Sequence, residues 1–213
     1  MPKTFYLICG YRGSGKDTLF KWLMGDETYT FKGISYNPNI PLDLPMTKNI
    51  SRFAFADSLK KEVLLSLNLP RFNSEAYKDT PLEQIFNLLK VSLSPDINKE
   101  MTLRDVYILY AAQKKKENID YWCEKVHENI IFEDENSECY IITDWRYIHE
   151  REYFLKLGKV VTIRIYRKDV NVPNAESERN LDDFKTDWVF VPEKNYEIEI
   201  EHMHNQFPQY IKP

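Results

Sequence analysis

Residues 10–18 read Gly-Tyr-Arg-Gly-Ser-Gly-Lys-Asp-Thr, a spacing of glycines and lysine suited to holding nucleotide phosphates. In the pattern Gly-x-x-x-x-Gly-Lys-[Ser/Thr], the glycines let the backbone turn tightly and aim its N–H groups at phosphate oxygens, and the lysine adds a point charge for the β and γ phosphates. Gly10, Gly13 and Gly15 take the first role and Lys16 the second, with Tyr11, Arg12, Ser14 and Thr18 completing an expected ATP-binding loop. A bare turn is the alternative use of such a loop. Asp17 stands where the pattern has a hydroxyl. A carboxylate there repels phosphate unless a cation intervenes, so it reads as a ligand of Mg²⁺, direct or through water, because Mg²⁺ prefers oxygen and keeps several waters. The other reading of Asp17 is a charge complementing the helix dipole, at about 0.3–1 kcal/mol. Thr18, about 100° further around the helix, is aimed at an α-phosphate rather than at the same metal.

A second constellation is Ile141-Ile142-Thr143-Asp144-Trp145-Arg146, with a carboxylate at the end of an apolar run and a guanidinium two residues on. Asp144 is positioned like an acid that holds metal waters, and Arg146 can fork two donors onto a phosphate and spread transition-state charge. An ordinary surface ion pair is the alternative for the two. His202-x-His204 has no further ligand at metal-binding spacing and reads as non-metal. No Ser/His/Asp, Cys/His or paired-glutamate hydrolytic set stands out.

These residues need elements to position them. Thr4 to Cys9 (TFYLIC) is an apolar run of strand formers, followed by the glycine loop and an apolar-periodic stretch through Met24, which is the strand-loop-helix context the motif requires. Residues 25–49, with Pro38, Pro41 and Pro45, read as a long surface excursion. Ser51 to Ala56 is expected as a strand and Asp57 as the cap of the helix after it. Helices are expected after Pro81, after a Thr102 cap, and from about Ile119 to Ile131, the last turning Trp122, Val126, Ile130 and Ile131 inward. Strands at Cys139 to Asp144, Val160 to Tyr166 and Trp188 to Val191, a helix from Arg146 closed by Gly158, and a final helix within Tyr196 to Tyr210 complete the pattern. Strands alternating with helices predict an α/β fold with a parallel five-stranded sheet covered on both faces and ligands at the carboxyl ends of its strands. The glycine loop, Asp57, Asp144 and Arg167 each follow a strand and are expected to converge there.

Composition sets the outer limits. The 213 residues, 43% hydrophobic and 29% charged, suit one domain: a core of about 1–24, 51–68 and 138–213, a helical insertion of about 69–137, and a polar stretch at 167–185. Net charge is −4 with both signs interspersed, which gives no field for a nucleic-acid polymer, and Lys114-Lys115-Lys116 reads as a solvated helix face. No apolar run reaches the roughly 20 residues that span a bilayer, and no signal-peptide pattern opens the chain, so no membrane and a cytoplasmic setting are expected. Cys9, Cys123 and Cys139 lack metal spacing and read as reduced thiols. Apolar helices in the insertion leave room for a homodimer.

Gly-Ser-Gly-Lys-Asp-Thr at 13–18, Phe55-Ala56-Asp57-Ser58-Leu59-Lys60, Thr102-Leu103-Arg104, Asp120-Tyr121-Trp122, Asp144-Trp145-Arg146 with His149-Glu150, and Ser177-Glu178 follow the order seen in phage-type deoxynucleoside monophosphate kinases, which the chain resembles from Phe5 to about Val191. The resemblance implies a phosphate-loop kinase sandwich of three layers and ATP-dependent, Mg²⁺-assisted phosphorylation of a deoxynucleoside 5′-monophosphate. It implies Lys16, Asp144, Arg146 and Arg167 as catalytic residues and Asp57, Lys60, Arg104, Asp144, Arg146, Glu150 and Glu178 around the acceptor, with 167–185 as a lid that excludes water. Two features depart from that family: Tyr110-Ala111-Ala112-Gln113-Lys114 lacks its glycine turn, and the 25–50 loop is extended. A kinase for another phosphorylated metabolite, such as phosphomevalonate, and a nucleotide-dependent binding switch are the alternative readings.

Overall fold

The computed structural model describes residues 3–42, 50–70, 72–90, 98–134, 137–174 and 176–210. In chain order its strands are β1 (Thr4–Cys9), β2 (Phe31–Ser35), β3 (Ile50–Phe53), β4 (Cys139–Ile142), β5 (Lys159–Ile165) and β6 (Trp188–Pro192). Its helices are α1 (Lys16–Leu23), α2 (Phe55–Ser66), α3 (Leu82–Leu89), α4 (Leu103–Glu117), α5 (Tyr121–Asp134), α6 (Ile148–Leu155), α7 (Glu176–Arg179) and α8 (Tyr196–Gln206), with single 3₁₀ turns at Glu193–Asn195 and Pro208–Tyr210. The chain divides into two compact units, one of residues 1–54 with 127–213 and one of residues 55–126. These boundaries fall earlier than the 69–137 insertion read from the sequence.

The first unit is built on β1. Its side chains are buried along nearly the whole strand, as expected where both faces of a sheet are covered. β1 pairs in parallel with β4 on one side and β5 on the other, β3 adds outside β4, and β6 adds outside β5. Alternation along the strands then sorts the core. Tyr6, Ile8, Ile141, Val161, Ile163 and Phe190 pack with Leu19 and Leu23 of α1. Phe5, on the opposite face, meets Phe154 of α6 at 5.0 Å between ring centroids, while Val189 and Val191 pack with Met203 of α8. The α/β class and the helices on both faces agree with the sequence reading.

The strand count does not. The sheet has six strands in the order β2-β6-β5-β1-β4-β3, because β2 pairs antiparallel with β6 at one edge. This strand lies in the stretch read as an excursion. Phe31 packs against Trp22, and Gly33 sits so close to Phe190 that a Cβ would be 2.9 Å from its ring, contacts that fix the pairing from far along the chain. Of the same stretch, residues 43–49 with Pro45 are outside the described residues. The expected strand from Ser51 to Ala56 is also shorter, since α2 begins at Phe55. Asp57 therefore occupies the first turn of α2, not its cap.

The second unit is helical. Val63, Leu69, Leu82, Ile85, Phe86, Leu103 and Tyr107 form its core, the i, i+3, i+4 spacing of α3 placing Leu82, Ile85 and Phe86 on one face. Thr102 caps α4 as expected: its side chain accepts from Asp105 N–H while Asp105 reaches back to Thr102, a capping box worth about 1 kcal/mol. Trp122, Val126 and Ile130 of α5 are buried, whereas Ile131 is exposed, against expectation. Cys9, Cys123 and Cys139 are buried and form no disulfide. Among the described residues no helix is long and apolar enough to cross a membrane.

Candidate functional site

The glycine loop lies at the carboxyl end of β1, between β4 and β5, where the sheet's connections diverge to either side of the central strand. Backbone geometry there demands glycine. Gly10 has φ +148°, and a Cβ on it would lie 2.6 Å from the Ile165 carbonyl oxygen. Gly15 has φ +100° and precedes α1 as a cap with no side-chain hydrogen bond, so the first-turn N–H groups have no acceptor of their own. Ser14 N–H donates to Tyr11 O at 3.0 Å and closes the turn. The Ser14 hydroxyl is buried without a hydrogen-bond partner.

Lys16 folds back over this loop, donating from Nζ to Gly10 O at 2.6 Å and to Tyr11 O at 3.1 Å. Burial lowers its pKa, partly offset by the Glu178 carboxylate and reinforced by the Arg146 guanidinium.

Arg146 is brought to the same place by the end of β4. Trp145 N–H donates to Ile8 O at 3.1 Å, and the buried indole donates from Nε1 to Tyr147 O at 2.7 Å. Glu150, only 3% exposed, accepts from the backbone N–H groups of Arg146 at 2.9 Å and Tyr147 at 3.1 Å. Its carboxylate thus sets the chain path at Arg146. The guanidinium in turn meets Glu178, Nη2 to Oε1 at 2.7 Å, and the other Glu178 oxygen accepts from Arg12 N–H at 3.1 Å.

Two recesses flank the loop. One is lined by Gly10, Trp145, Arg146, Arg164, Ser177 and Glu178. The other is lined by Tyr11, Ser14, Tyr166, Arg167, Val170 and Phe207, among others. Each encloses only about 10 Å³, far below the roughly 300–1,000 Å³ of small-molecule sites. Arg167 is exposed at the mouth of the second. Between them stands Arg164, 2% exposed, which donates to Tyr210 Oη at 3.1 Å, to Leu181 O, and to Phe184 O at 3.4 Å, and lies over the Phe207 ring. Tyr11 donates its hydroxyl to Asp182 at 2.9 Å, and burial with that carboxylate pushes its pKa up to about 12. Residues 167–185, apart from Ala175, which lies outside the described residues, are tied to the loop through these contacts and carry α7.

Asp17 meets a partner that sequence reasoning missed. Arg52, on β3, donates to its Oδ1 from Nε at 3.2 Å and from Nη2 at 3.0 Å, leaving the Asp17 side chain 72% exposed. Asp144 is close enough to Lys16 to offset a small part of the drop in the lysine's pKa that burial causes. Among the described residues no group of three or more His, Cys, Asp or Glu forms a metal site. Mg²⁺ needs no such cage when phosphates and waters fill its shell, and the carboxylates the loop region could offer it are Asp144 and Asp17, the latter shared with Arg52.

The second unit holds its own ionic cluster. Pro81 and Thr102 form a β-bridge, and Arg104 N–H donates to Lys78 O at 2.8 Å, which sets the start of α4 beside residues 78–82. Arg104 then forks onto Asp79, Nε at 2.5 Å and Nη2 at 3.0 Å. Lys60 reaches Glu75 at 2.9 Å and Lys78 pairs with the same carboxylate. Those two bonds hold the Glu75 carboxyl down at about 2. Asp57 is exposed on α2.

Of the predicted site residues, Arg12, Lys16, Arg146, Glu150 and Glu178 are brought together in the first unit, and Lys60 and Arg104 share a cluster in the second. Arg52, Glu75, Lys78, Asp79, Arg164 and Asp182 were missed. Arg164 carried one signal, an arginine inside an otherwise apolar strand (VVTIRIY). His202 and His204 bond to the hydroxyls of Tyr166 and Tyr36. Compared with known proteins, the chain matches no protein-family model and no curated protein.

Proposed function

We propose that the chain is a phosphate-loop kinase that transfers the γ-phosphoryl group of ATP to the 5′-phosphate of a deoxynucleoside monophosphate. The observation that carries this reading is the meeting of the Arg12 amide and the Arg146 guanidinium at one carboxylate-sized position beside the glycine loop, with Lys16 near enough to feel its charge. Loop amides and Lys16 hold the β and γ phosphates, with the orphan amides of α1 behind them. An oxygen of the acceptor phosphate attacks the γ-phosphorus in line, the bond to the β,γ-bridging oxygen breaks, and ADP leaves with the electron pair. No covalent enzyme intermediate is required. Arg146 spreads charge over the transferring group, and Glu150, through the backbone, positions it. Bound beside Asp17 and Asp144, Mg²⁺ would neutralise charge on the phosphate oxygens. Arg104 and Arg146 are the candidate contacts for the acceptor phosphate, and Asp57 and Lys60 for the acceptor more widely.

Incubation with ATP, Mg²⁺ and a panel of nucleoside and deoxynucleoside monophosphates tests the proposal. It expects ADP whose release depends on one or two deoxynucleotides. Release independent of every acceptor would overturn it.

A further inference from the structure

The anion position beside the glycine loop is filled by a carboxylate of the chain itself. Glu178 directs Oε2 at the Arg12 N–H and Oε1 at the Arg146 guanidinium, and only 12% of its side chain is exposed. These two donors, with Lys16 nearby, are the ones a phosphate would need. Carboxylate and phosphate oxygens make the same charge-assisted bonds to amide and guanidinium donors, so the two anions compete for one seat and repel each other if crowded into it. The neighbouring contacts hold Glu178 there. Asp182 accepts from the Tyr11 hydroxyl, and Arg164 donates to Leu181 O and Phe184 O, so residues 178–184 are pinned against the loop on both sides of the recess.

We infer that Glu178 is a built-in competitor for the phosphate seat: its carboxylate occupies the seat when nucleotide is absent, and binding a terminal phosphate expels it. The inference rests on the kinase reading and adds a regulation to that site. Expulsion does two things together. It opens the loop amide, and it frees the Arg146 guanidinium to turn to the transferring phosphoryl group. Arginine activation is thereby coupled to nucleotide arrival, and the apparent affinity for nucleotide is reduced by the fraction of molecules whose seat is already taken.

Calorimetric titration of the full chain, wild type against Glu178→Gln and Glu178→Ala, with Mg-ATP and separately with magnesium tripolyphosphate, tests this. Both variants are expected to bind both ligands about tenfold more tightly, because the competing charge is gone and the donors remain. Unchanged or weaker binding overturns the inference, as does a gain confined to ATP, which would place the effect at the base rather than at the phosphates. Hydrogen exchange on the wild-type chain gives a readout independent of any variant. Tripolyphosphate should speed exchange of the hydrogen-bonded amides of Asn180, Asp182 and Phe184 by about fivefold. Unchanged or slower exchange there also counts against it. If wild type binds Mg-ATP and the variants bind no better, the kinase reading stands and the competitor is lost; if none of the three proteins binds it, both fall.

Discussion

At the glycine loop, the groups available to an anion are a backbone amide, a lysine folded onto two carbonyls, and a guanidinium whose own chain segment is tied to buried Glu150. In the second unit, by contrast, Lys60, Lys78 and Arg104 reach Glu75 and Asp79, whose side chains are 52% and 66% exposed. Both places gather cations around carboxylates, but only at the first is the carboxylate itself largely buried, Glu178 being 12% exposed, and held by a backbone amide as well as a guanidinium. A fixed seat holds charge without reorganising, which is what a transition state needs. Exposed pairs on long side chains are screened and lose rotamer entropy when ordered, so they suit recognition that tolerates adjustment.

The contrast can be broken most directly at Arg146. Arg146→Ala is expected to lower acceptor-dependent ADP formation by about 10³-fold with an unchanged thermal melt, since the guanidinium acts on the transferring group. Full activity in that variant would remove it from the reaction. A stability effect of about 2–4 kcal/mol is expected for Arg164→Met, because the carbonyls of Leu181 and Phe184 lose a buried donor; urea unfolding measures it, and a change within about 0.5 kcal/mol would show that the fixed side of the comparison is not held by this residue.

Arg104→Ala should act differently, raising the acceptor KM about tenfold with little change in kcat, the signature of binding shared by ground and transition states. An equal loss in kcat would erase the distinction between the two places. Asp17→Asn sharpens the comparison further: the Mg²⁺ concentration giving half-maximal rate should rise about fivefold, and an unchanged requirement would leave Asp17 as only the partner of Arg52.

The smallest expected effect is at Glu75. Its carboxyl is held at about 2 in the folded chain against 4.5 otherwise. A depressed carboxylate stabilises the fold above the unfolded value and loses that contribution as pH falls through the folded one. The difference in stability between wild type and Glu75→Gln should therefore be full above pH 4.5 and close towards about pH 2, with a size under about 1 kcal/mol given its exposure. Melting curves across that range measure it, and a difference that persists at pH 2 would mean that the pair is not its source.

Local signals carried far. β1 runs from Thr4 to Cys9 as its composition predicts, α3 starts after Pro81, and Thr102 caps α4 through Asp105 three residues on. Each rests on residues within a turn or two of one another. With Asp57 read as its cap, α2 is expected to start about a turn later than it does, because its start at Phe55 depends on the burial of that ring, which no short-range pattern reports. β2 escaped notice for a related reason: with Gly33 at its centre it is weak by propensity and exists through its pairing with β6, more than 150 residues away by the register Gly33 to Phe190.

By itself, the sequence determined the alternating α/β pattern and the strand-loop-helix around Lys16, because backbone propensity, glycine conformations and apolar periodicity are properties of neighbours along the chain. Only the tertiary structure decided what those residues face: that Asp17 is shared with Arg52, that Glu178 lies against Arg12 and Arg146, and that Arg104 is paired with Asp79. Charge pairing is long-range in sequence and short-range in space, so it is settled by how strands and helices bring distant segments together.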